Sequence, residues 1–508
     1  MFKGLDRINN PKDKKTFIEK VNVFIRLIDL FALKNNLICN KKNVNVNKDT
    51  SLRLQELGII NLNIEQNHEI LNKLLKKDLY SEFISAINFN IQYKTKIGKL
   101  LDKIDPSKRK LIQEKEKHEN KPKVVDFFCG AGGLSLGFVQ AGFQIDLAND
   151  NEDVCIESYR YNHPEIADNR IIHGDIRKIV NHLEEYMIND IDVVVGGPPC
   201  QGFSSANQQR IIDDSRNELY KFFIQSIEKI GPKFVVMENV KGMLPYAEQV
   251  KEDFQNISIK NGKKSISYNL EYKVLVSDDF GVAQKRPRLI FIAIRNDIST
   301  LNDLTPMNLF DDIEKDTSNV KKHILKDALE HIKPLDAPRI KNMTEVDDEI
   351  TGKKIDINQF EGNENSYLKL INQRKIIEYV FNHKARYAND INYEIYSTLE
   401  QGEDGTSEKI KHIMPYQHRN HIFKDKYFKL DENKPSRTIT AHLRMDCHSH
   451  IHPRQTRSIT PREAARIQSF PDDYFFMGPY LKTYMQIGNA VPPRMANFIA
   501  RVLKKFLN

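Results

Sequence analysis

Apolar positions along this chain change their period from one region to the next. In the first hundred residues they recur at helical spacing, as Phe17, Val21, Phe24, Ile25, Ile28 and Phe31, and again as Ile70, Leu74, Leu75, Leu79 and Phe83. Steps of three and four put such positions on one helix face, so residues 1–105 are predicted to be mostly helical. A highly charged run from Ser107 to Lys123 follows and reads as an extended helix end or a linker. Short apolar runs then alternate with amphipathic ones. Strands are predicted at 124–128, 144–148, 170–173, 191–195, 234–237, 272–276 and 289–294, and helices at 134–141, 152–162 and 217–230. This alternation implies an α/β, doubly wound sheet. After Arg295 the rhythm stops, and residues 298–435 are polar and irregular. A structureless stretch of that length does not belong inside a compact domain, so a second, smaller domain is expected there. Strand and helix signals return near Arg437.

Composition narrows the class. With 40% hydrophobic and 29% charged residues, the chain has an ordinary soluble mix. No apolar run is long enough to span a membrane and no signal-peptide pattern opens the chain, so a cytoplasmic protein is expected. The cysteines, Cys39, Cys129, Cys155, Cys200 and Cys447, are scattered and never form CxxC, which argues against a disulfide framework or a zinc ribbon. Charge is uneven. Residues 1–122 hold 25 Lys and Arg against 15 Asp and Glu, a net of +10, whereas residues 123–508 have a net of −2. The basic segment is read either as a nucleic-acid contact or as a solvated lysine-rich surface.

The first predicted strand runs into the glycine-rich turn Cys129, Gly130, Ala131, Gly132, Gly133. Glycines at a strand-to-helix turn let a ligand approach the backbone. The spacing is not the dinucleotide GxGxxG, and no phosphate-binding Lys follows. Asp126, Asp150 and Asp175 each sit at or just after a strand, 24 and 25 residues apart. That is about one strand–helix unit, so the three can gather at the carboxyl edge of the sheet. There they could accept from ribose hydroxyls and an adenine amino group, and they suit a sulfonium cation better than a pyrophosphate. Each alone is equally a helix cap; together they favour a positively charged adenosyl ligand.

The stretch GGPPCQGFS follows the fourth strand and puts Cys200 in a polar, glycine-flanked loop at the same edge, where a catalytic thiol is expected rather than a core one. Glu238 ends the fifth strand. Arg286 and Arg288, two apart before the last strand, face one side in extended chain.

In order, DFFCGAGGLSLGF, GGPPCQGFS, MENV, QKRPRLI and QIGNAVPP resemble the main motifs of the cytosine-5 DNA methyltransferases, and PSRTITAHL and SITPREAARIQSFP resemble the later ones. The likeness covers roughly residues 123–295 and 437–508. It implies a Rossmann-like methyltransferase sheet with a helical N-terminal extension at 1–122. The catalytic and cofactor-binding domain would span 123–297, completed by about 480–508, with a target-recognition region at 298–479. It implies methyl transfer from S-adenosylmethionine to C5 of a flipped cytosine in duplex DNA, with S-adenosylhomocysteine as product. The catalytic set would be Cys200, Glu238, Arg286 and Arg288, with Arg288 favoured over Arg286 at the base carbonyl. Phe128, Ala131, Gly133, Asp150, Asn151, Asp175, Ile176, Gly197, Leu219, Asn489 and Val491 would bind cofactor, and Gln201 and Ser204 would contact DNA. A monomer of the restriction-modification type, with a separate partner endonuclease, is the organisation implied. Asp150 stands where many members have Glu, and Asn151 where an apolar side chain could stack on adenine, so a modest cofactor affinity is expected.

Other readings are weaker. A tRNA-modifying branch shares these motifs but is compact where this chain carries residues 298–435. Intact Cys200, Glu238, Arg286 and Arg288 argue against a non-catalytic DNA-binding protein, and the missing GxGxxG against a nicotinamide dehydrogenase. His448, His450 and His452 would share one face of a strand, but no second ligand pair stands at zinc-like spacing, so no metal is expected.

Overall fold

The computed structural model describes residues 2, 4–40, 44–61, 64–94, 101–186, 190–199, 218–261, 264–357, 364–375, 377–415 and 426–507. Cys200, Gln201 and Ser204 lie outside the described residues.

The N-terminal part consists of α1 (Pro11–Lys34), α2 (Lys48–Glu56), α3 (Ile64–Leu75), α4 (Lys77–Gln92) and α5 (Pro106–Lys117). Asn10 caps α1 and Pro11 occupies its first turn, a strong start signal. The predicted face of Phe17, Val21, Phe24, Ile25 and Ile28 is buried. The second predicted stripe is broken. Lys76 takes φ of 64° and separates α3 from α4, so Phe83 is buried while Ile70 is exposed.

The sheet region follows as β1 (Lys123–Phe127), α6 (Gly133–Gln140), β2 (Gln144–Asp150), α7 (Asp153–Asn162), β3 (Ile171–His173), α8 (Ile176–Asn181), β4 (Val193–Gly196), α9 (Glu218–Ile230), β5 (Phe234–Val240) and α10 (Ala247–Gln255). A small hairpin of β6 (Ile259–Asn261) and β7 (Lys264–Ile266) precedes β8 (Tyr268–Val276) and β9 (Pro287–Arg295). The sheet order is β3-β2-β1-β4-β5-β9-β8. β3 to β5 pair in parallel, and β9 is antiparallel to both β5 and β8. The central strands are apolar almost throughout because helices cover both faces. One face packs on α6 and on C-terminal residues such as Met495 and Ile499; the other packs on α8, α9 and α10.

Beyond the sheet lie α11 (Asn296–Asn302), α12 (Pro306–Thr317), α13 (Leu325–Leu329), β10 (Gly352–Ile357), α14 (Ser366–Ile371), β11 (Tyr379–Lys384) and α15 (Asp390–Thr398). The chain ends with α16 (Pro461–Ile467), α17 (Tyr480–Asn489) and α18 (Pro493–Lys504). Residues 304–313, assigned from sequence to the recognition region, instead supply Leu304, Leu309, Phe310 and Ile313 to the core of the sheet. The histidine-rich stretch is not a strand. Residues His448–His450 form a short 3-10 turn, which abolishes the alternation that would align three imidazoles. His448 stacks on Tyr427 at 4.4 Å, and His452 Nδ1 accepts from the backbone of Arg454 and Gln455. Burial pushes His448 down to about 4 and His450 and His452 to about 3, so all three are neutral at pH 7.

The return of α18 against α6 depends on the absence of a side chain. A Cβ on Gly137 would lie 2.4 Å from Ala496 Cβ and 2.5 Å from the Pro493 carbonyl oxygen. Backbone cannot yield there, so Gly137→Ala is expected to cost about 1–3 kcal/mol despite alanine's better helix propensity. Urea denaturation of both proteins measures it, and an unchanged midpoint would show that the two helices can separate freely.

Candidate active site

The carboxyl ends of the central strands open into one cavity of about 570 Å³. Its walls bring together Phe128, Gly133, Asp150, Asn151, Asp175, Ile176, Gly197, Leu219, Asn489 and Val491, with Glu238, Arg286 and Arg288. They come from segments spread over more than 360 positions of the chain.

The turn after β1 is strained where it meets the cavity. Phe128 takes φ of 58°, a conformation rare for a bulky side chain. Asp150 fastens the turn: its Oδ2 accepts from Gly130 N at 2.9 Å and its Oδ1 from Glu152 N at 2.8 Å. Burial raises the Asp150 carboxyl above the ordinary range. On the far side, a Cβ on Gly133 would sit 2.3 Å from the Val491 carbonyl oxygen. Glycine thus lets the segment between α17 and α18 close the cavity.

Two expectations fail at this turn. Ala131 does not reach the cavity. Gly130 and Gly132 on either side have positive φ, and the buried Ala131 offers its carbonyl to the Tyr474 hydroxyl within a separate apolar cluster. Asp126 does not join the other acids. It is fully buried under α6, its Oδ2 accepting from Ser135 Oγ at 2.6 Å, and Tyr159 donates in turn to Ser135. Burial, with Asp150 nearby, pushes Asp126 up to about 7.

Asp175 lines the cavity and caps α8 through Arg177 N at 2.9 Å. The Arg177 guanidinium binds both Asp175 oxygens and also reaches Glu218 at 2.9 Å. Those bonds hold the Asp175 carboxyl below its ordinary range.

At the other end, Glu238 Oε1 lies 2.7 Å from Arg288 Nε, an ion pair mostly shielded from solvent. The charges touch without an aligned hydrogen bond, since Arg288 Nε has no hydrogen-bond acceptor among the described residues. Gly197 permits this crowding, as a Cβ there would stand 3.0 Å from Glu238 Oε2. Asn239 Nδ2 donates to the Pro198 carbonyl at 3.0 Å and fixes the chain just before residue 200.

Arg286 was expected beside Arg288 at the substrate, and its guanidinium is committed elsewhere. It donates to the carbonyls of Ile439, Gly488 and Ala490. Deep burial drives its pKa well below the usual arginine value. It ties β9 to the C-terminal segment and leaves Arg288 as the arginine beside the carboxylate.

Cys129 and Cys155 also line the cavity, but burial first and nearby carboxylates second raise both thiols well above their usual range. Neither is a thiolate at neutral pH. Sequence reasoning missed Arg177, Asn239 and Gln486 on the walls. Asn239 and Gln486 stand inside motifs already noted; nothing in the sequence marked Arg177.

A mixed sheet, parallel in its β3-β2-β1-β4-β5 part, with a cavity at its carboxyl edge and an acid–arginine pair beside a proline-stiffened loop, has the architecture of a group-transfer enzyme. The C-5 cytosine-specific DNA methylase family matches residues 122–505, and the chain belongs to it: it is a cytosine-5 DNA methyltransferase. The type II methyltransferase M.DdeI of Desulfomicrobium norvegicum is 30% identical over 74% of this chain and 87% of its own. M.AgeI of Thalassovita gelatinovora is 30% identical over 75% of this chain and 99% of its own. A crystal structure of a DNA modification methyltransferase encoded within an E. coli prophage aligns with a TM-score of 0.54 at 25% identity, covering 76% of this chain and 99% of that one. Methyltransferases of this family generally use S-adenosylmethionine. Among the described residues no helix is long and apolar enough to cross a membrane.

Asp126 makes folding pH-dependent. Its pKa rises from the model-peptide 3.8 to about 7 on folding, so the native state binds a proton that the unfolded chain has released. Stability contributed by this group is therefore present below pH 4 and lost as pH rises toward 7. Asp126→Asn, which still offers Ser135 an acceptor, should gain stability relative to the parent between pH 5 and pH 8 in urea titrations. An identical pH slope in the two proteins would contradict the burial argument.

Proposed function

We propose that the chain methylates a cytosine flipped out of a specific duplex DNA sequence, with S-adenosylmethionine as donor and Cys200 as nucleophile. The observation that carries the reading is the meeting of the Glu238–Arg288 pair with Gly197, Pro198 and Pro199, the residues leading into Cys200, on the wall of one cavity.

The donor fits the residues present. About 570 Å³ suits a ligand of nucleoside size. Asp150 and Asp175 offer acceptors to ribose hydroxyls and to an adenine amino group, and their charge favours a sulfonium. Phe128, Ile176 and Leu219 offer apolar surface to a purine. Bound there, S-adenosylmethionine supplies an electrophilic methyl group and leaves as S-adenosylhomocysteine.

The chain's own groups must make cytosine reactive, because its C5 is a poor nucleophile. The Cys200 thiolate adds to C6, and electron density moves onto C5. Glu238 takes up a proton from water as the base enters and delivers it to N3 as negative charge develops there, taking it back when the ring is restored. Arg288 holds Glu238 and contacts the base carbonyl. Once C5 carries the methyl group, a water takes the C5 proton and the Cys200 thiolate is expelled, which restores the aromatic ring. The thiolate needs access above the ring plane, so the base must leave the stack. Gln201 and Ser204 contact the DNA around it. Neighbouring bases are read in the grooves by the recognition region, residues 298–479 less the sheet-packed 304–313. The enzyme acts in the cytoplasm, at the nucleoid, as a monomer alongside an independent endonuclease.

DNA carrying 5-fluorocytosine should trap the wild-type protein covalently, because fluorine cannot leave as a proton. Denaturing gels should show no adduct for Cys200→Ser; an adduct surviving in that variant would refute the nucleophile. Asp175→Ala should weaken cofactor binding by about 10- to 100-fold, the worth of a hydrogen bond to a charged group, with the fold intact. Calorimetry giving an unchanged Kd would remove Asp175 from the cofactor site.

A further inference from the structure

The family match begins at residue 122, and the helices before it pack on β10, β11 and residues near 475–478 and on one segment of the catalytic domain. That segment joins β2 to β3, so it lies between Asp150 and Asp175. Lys12 Nζ is 2.9 Å from Asp153 and Lys20 Nζ 2.5 Å from Glu157, both acids on α7. From α5, Arg109 donates to the Arg160 carbonyl at 2.7 Å and to Asp168 at 2.9 Å. Gln113 donates to the carbonyls of Pro164 and Ile166, each at 3.1 Å. Tyr161 of α7 enters the apolar core of the N-terminal helices.

The opposite side of α7 leads straight to the cofactor cavity. Ser158 Oγ donates to Gln486 Oε1 at 2.5 Å, and Gln486 lines that cavity. Packing does not fill the junction of α1 with α7. A second cavity of about 480 Å³ separates them, bounded by Lys12, Phe17, Lys20, Asp153, Glu157 and Met477. At this end α1 meets α7 through the charged contacts of Lys12 and Lys20.

We propose that the N-terminal helices are a brace that sets the cofactor cavity, with Lys20 as a positioning residue acting through Glu157, rather than an arm that binds DNA phosphates. The inference rests on the reading of the cavity as the S-adenosylmethionine site. Lys20 is 4% exposed, so its ammonium is out of reach of a phosphate. A buried ammonium is tolerated only with its partner in place, so the pair fixes geometry more than it adds stability. Part of the basic excess is matched by acids of the catalytic domain, in Lys12 with Asp153, Lys20 with Glu157 and Arg109 with Asp168. Asp150 and Asn151 lie immediately ahead of α7, and displacements near 1 Å are enough to weaken a positioned site.

The test uses the full-length protein, with cofactor affinity by calorimetry, DNA affinity across a salt series, steady-state kinetics and melting temperature measured on each variant. Lys20→Met should raise the Kd and KM for S-adenosylmethionine about tenfold, with kcat and the salt slope of DNA binding nearly unchanged. The exchanged pair, Lys20→Glu with Glu157→Lys, should recover most of that loss. If Lys20→Met does not fold, Lys12→Ala replaces an exposed lysine on the same helix and should raise the cofactor Kd about two- to threefold. A folded Lys20→Met protein, or failing that Lys12→Ala, with unchanged cofactor affinity would overturn the brace, as would a loss confined to DNA affinity and its salt slope. Wild-type protein that binds no S-adenosylmethionine would instead overturn the cofactor reading on which the brace rests.

Discussion

The buried guanidinium of Arg286 is the contact on which the rest of the molecule depends. It sits at the start of β9 with no carboxylate bonded to it, and the carbonyls of Ile439, Gly488 and Ala490 take its protons. An arginine removed from water is costly unless its donors are met. Meeting most of them draws two distant stretches of backbone, at Ile439 and at Gly488 and Ala490, to β9; Nε alone has no partner among the described residues. Asn489 and Val491 reach the cavity at the sheet edge because this junction is fixed, and α18 can then lie along α6. A residue with the sequence signature of a substrate contact thus serves as the knot of the fold.

The same economy of buried charge runs through the C-terminal segment. In α16 every residue is buried, including Arg462, Glu463 and Arg466. Arg457 grips Glu463 with both nitrogens, Arg466 grips Asp472, and Arg462 bonds the carbonyls of Phe381, Pro471 and Tyr474. Such pairs add little net stability over an apolar core, but they penalise misplacement severely. They join β11 to the segment leading to α17.

The cavity divides its acids by environment. Asp150 braces the glycine turn, Asp175 caps a helix and is held by Arg177, Glu238 meets Arg288, and Asp126 lies beneath them in the core. Burial raises the carboxyls of Asp126 and Asp150, and the Arg177 bonds lower that of Asp175. What sets each is its distance from water and from an arginine, rather than the residue type.

Much of this was legible in the sequence. Apolar runs such as those of β1, β4 and β5 can be satisfied only between two covered faces, so the doubly wound sheet followed from pattern alone. The motif residues did converge: Phe128, Asp150, Asp175, Gly197, Glu238, Arg288, Asn489 and Val491 share one cavity. Local spacing could place a residue at a strand end, because strand period and unit length are local properties. It could not tell that Asp126 turns inward, that Arg286 is used up on carbonyls, or that Ala131 faces Tyr474. Nor could it show β9 running antiparallel, the break at Lys76, or the contact of Lys20 with Glu157. Those outcomes depend on partners tens to hundreds of positions away, and only the packed chain decides which buried polar group finds which partner.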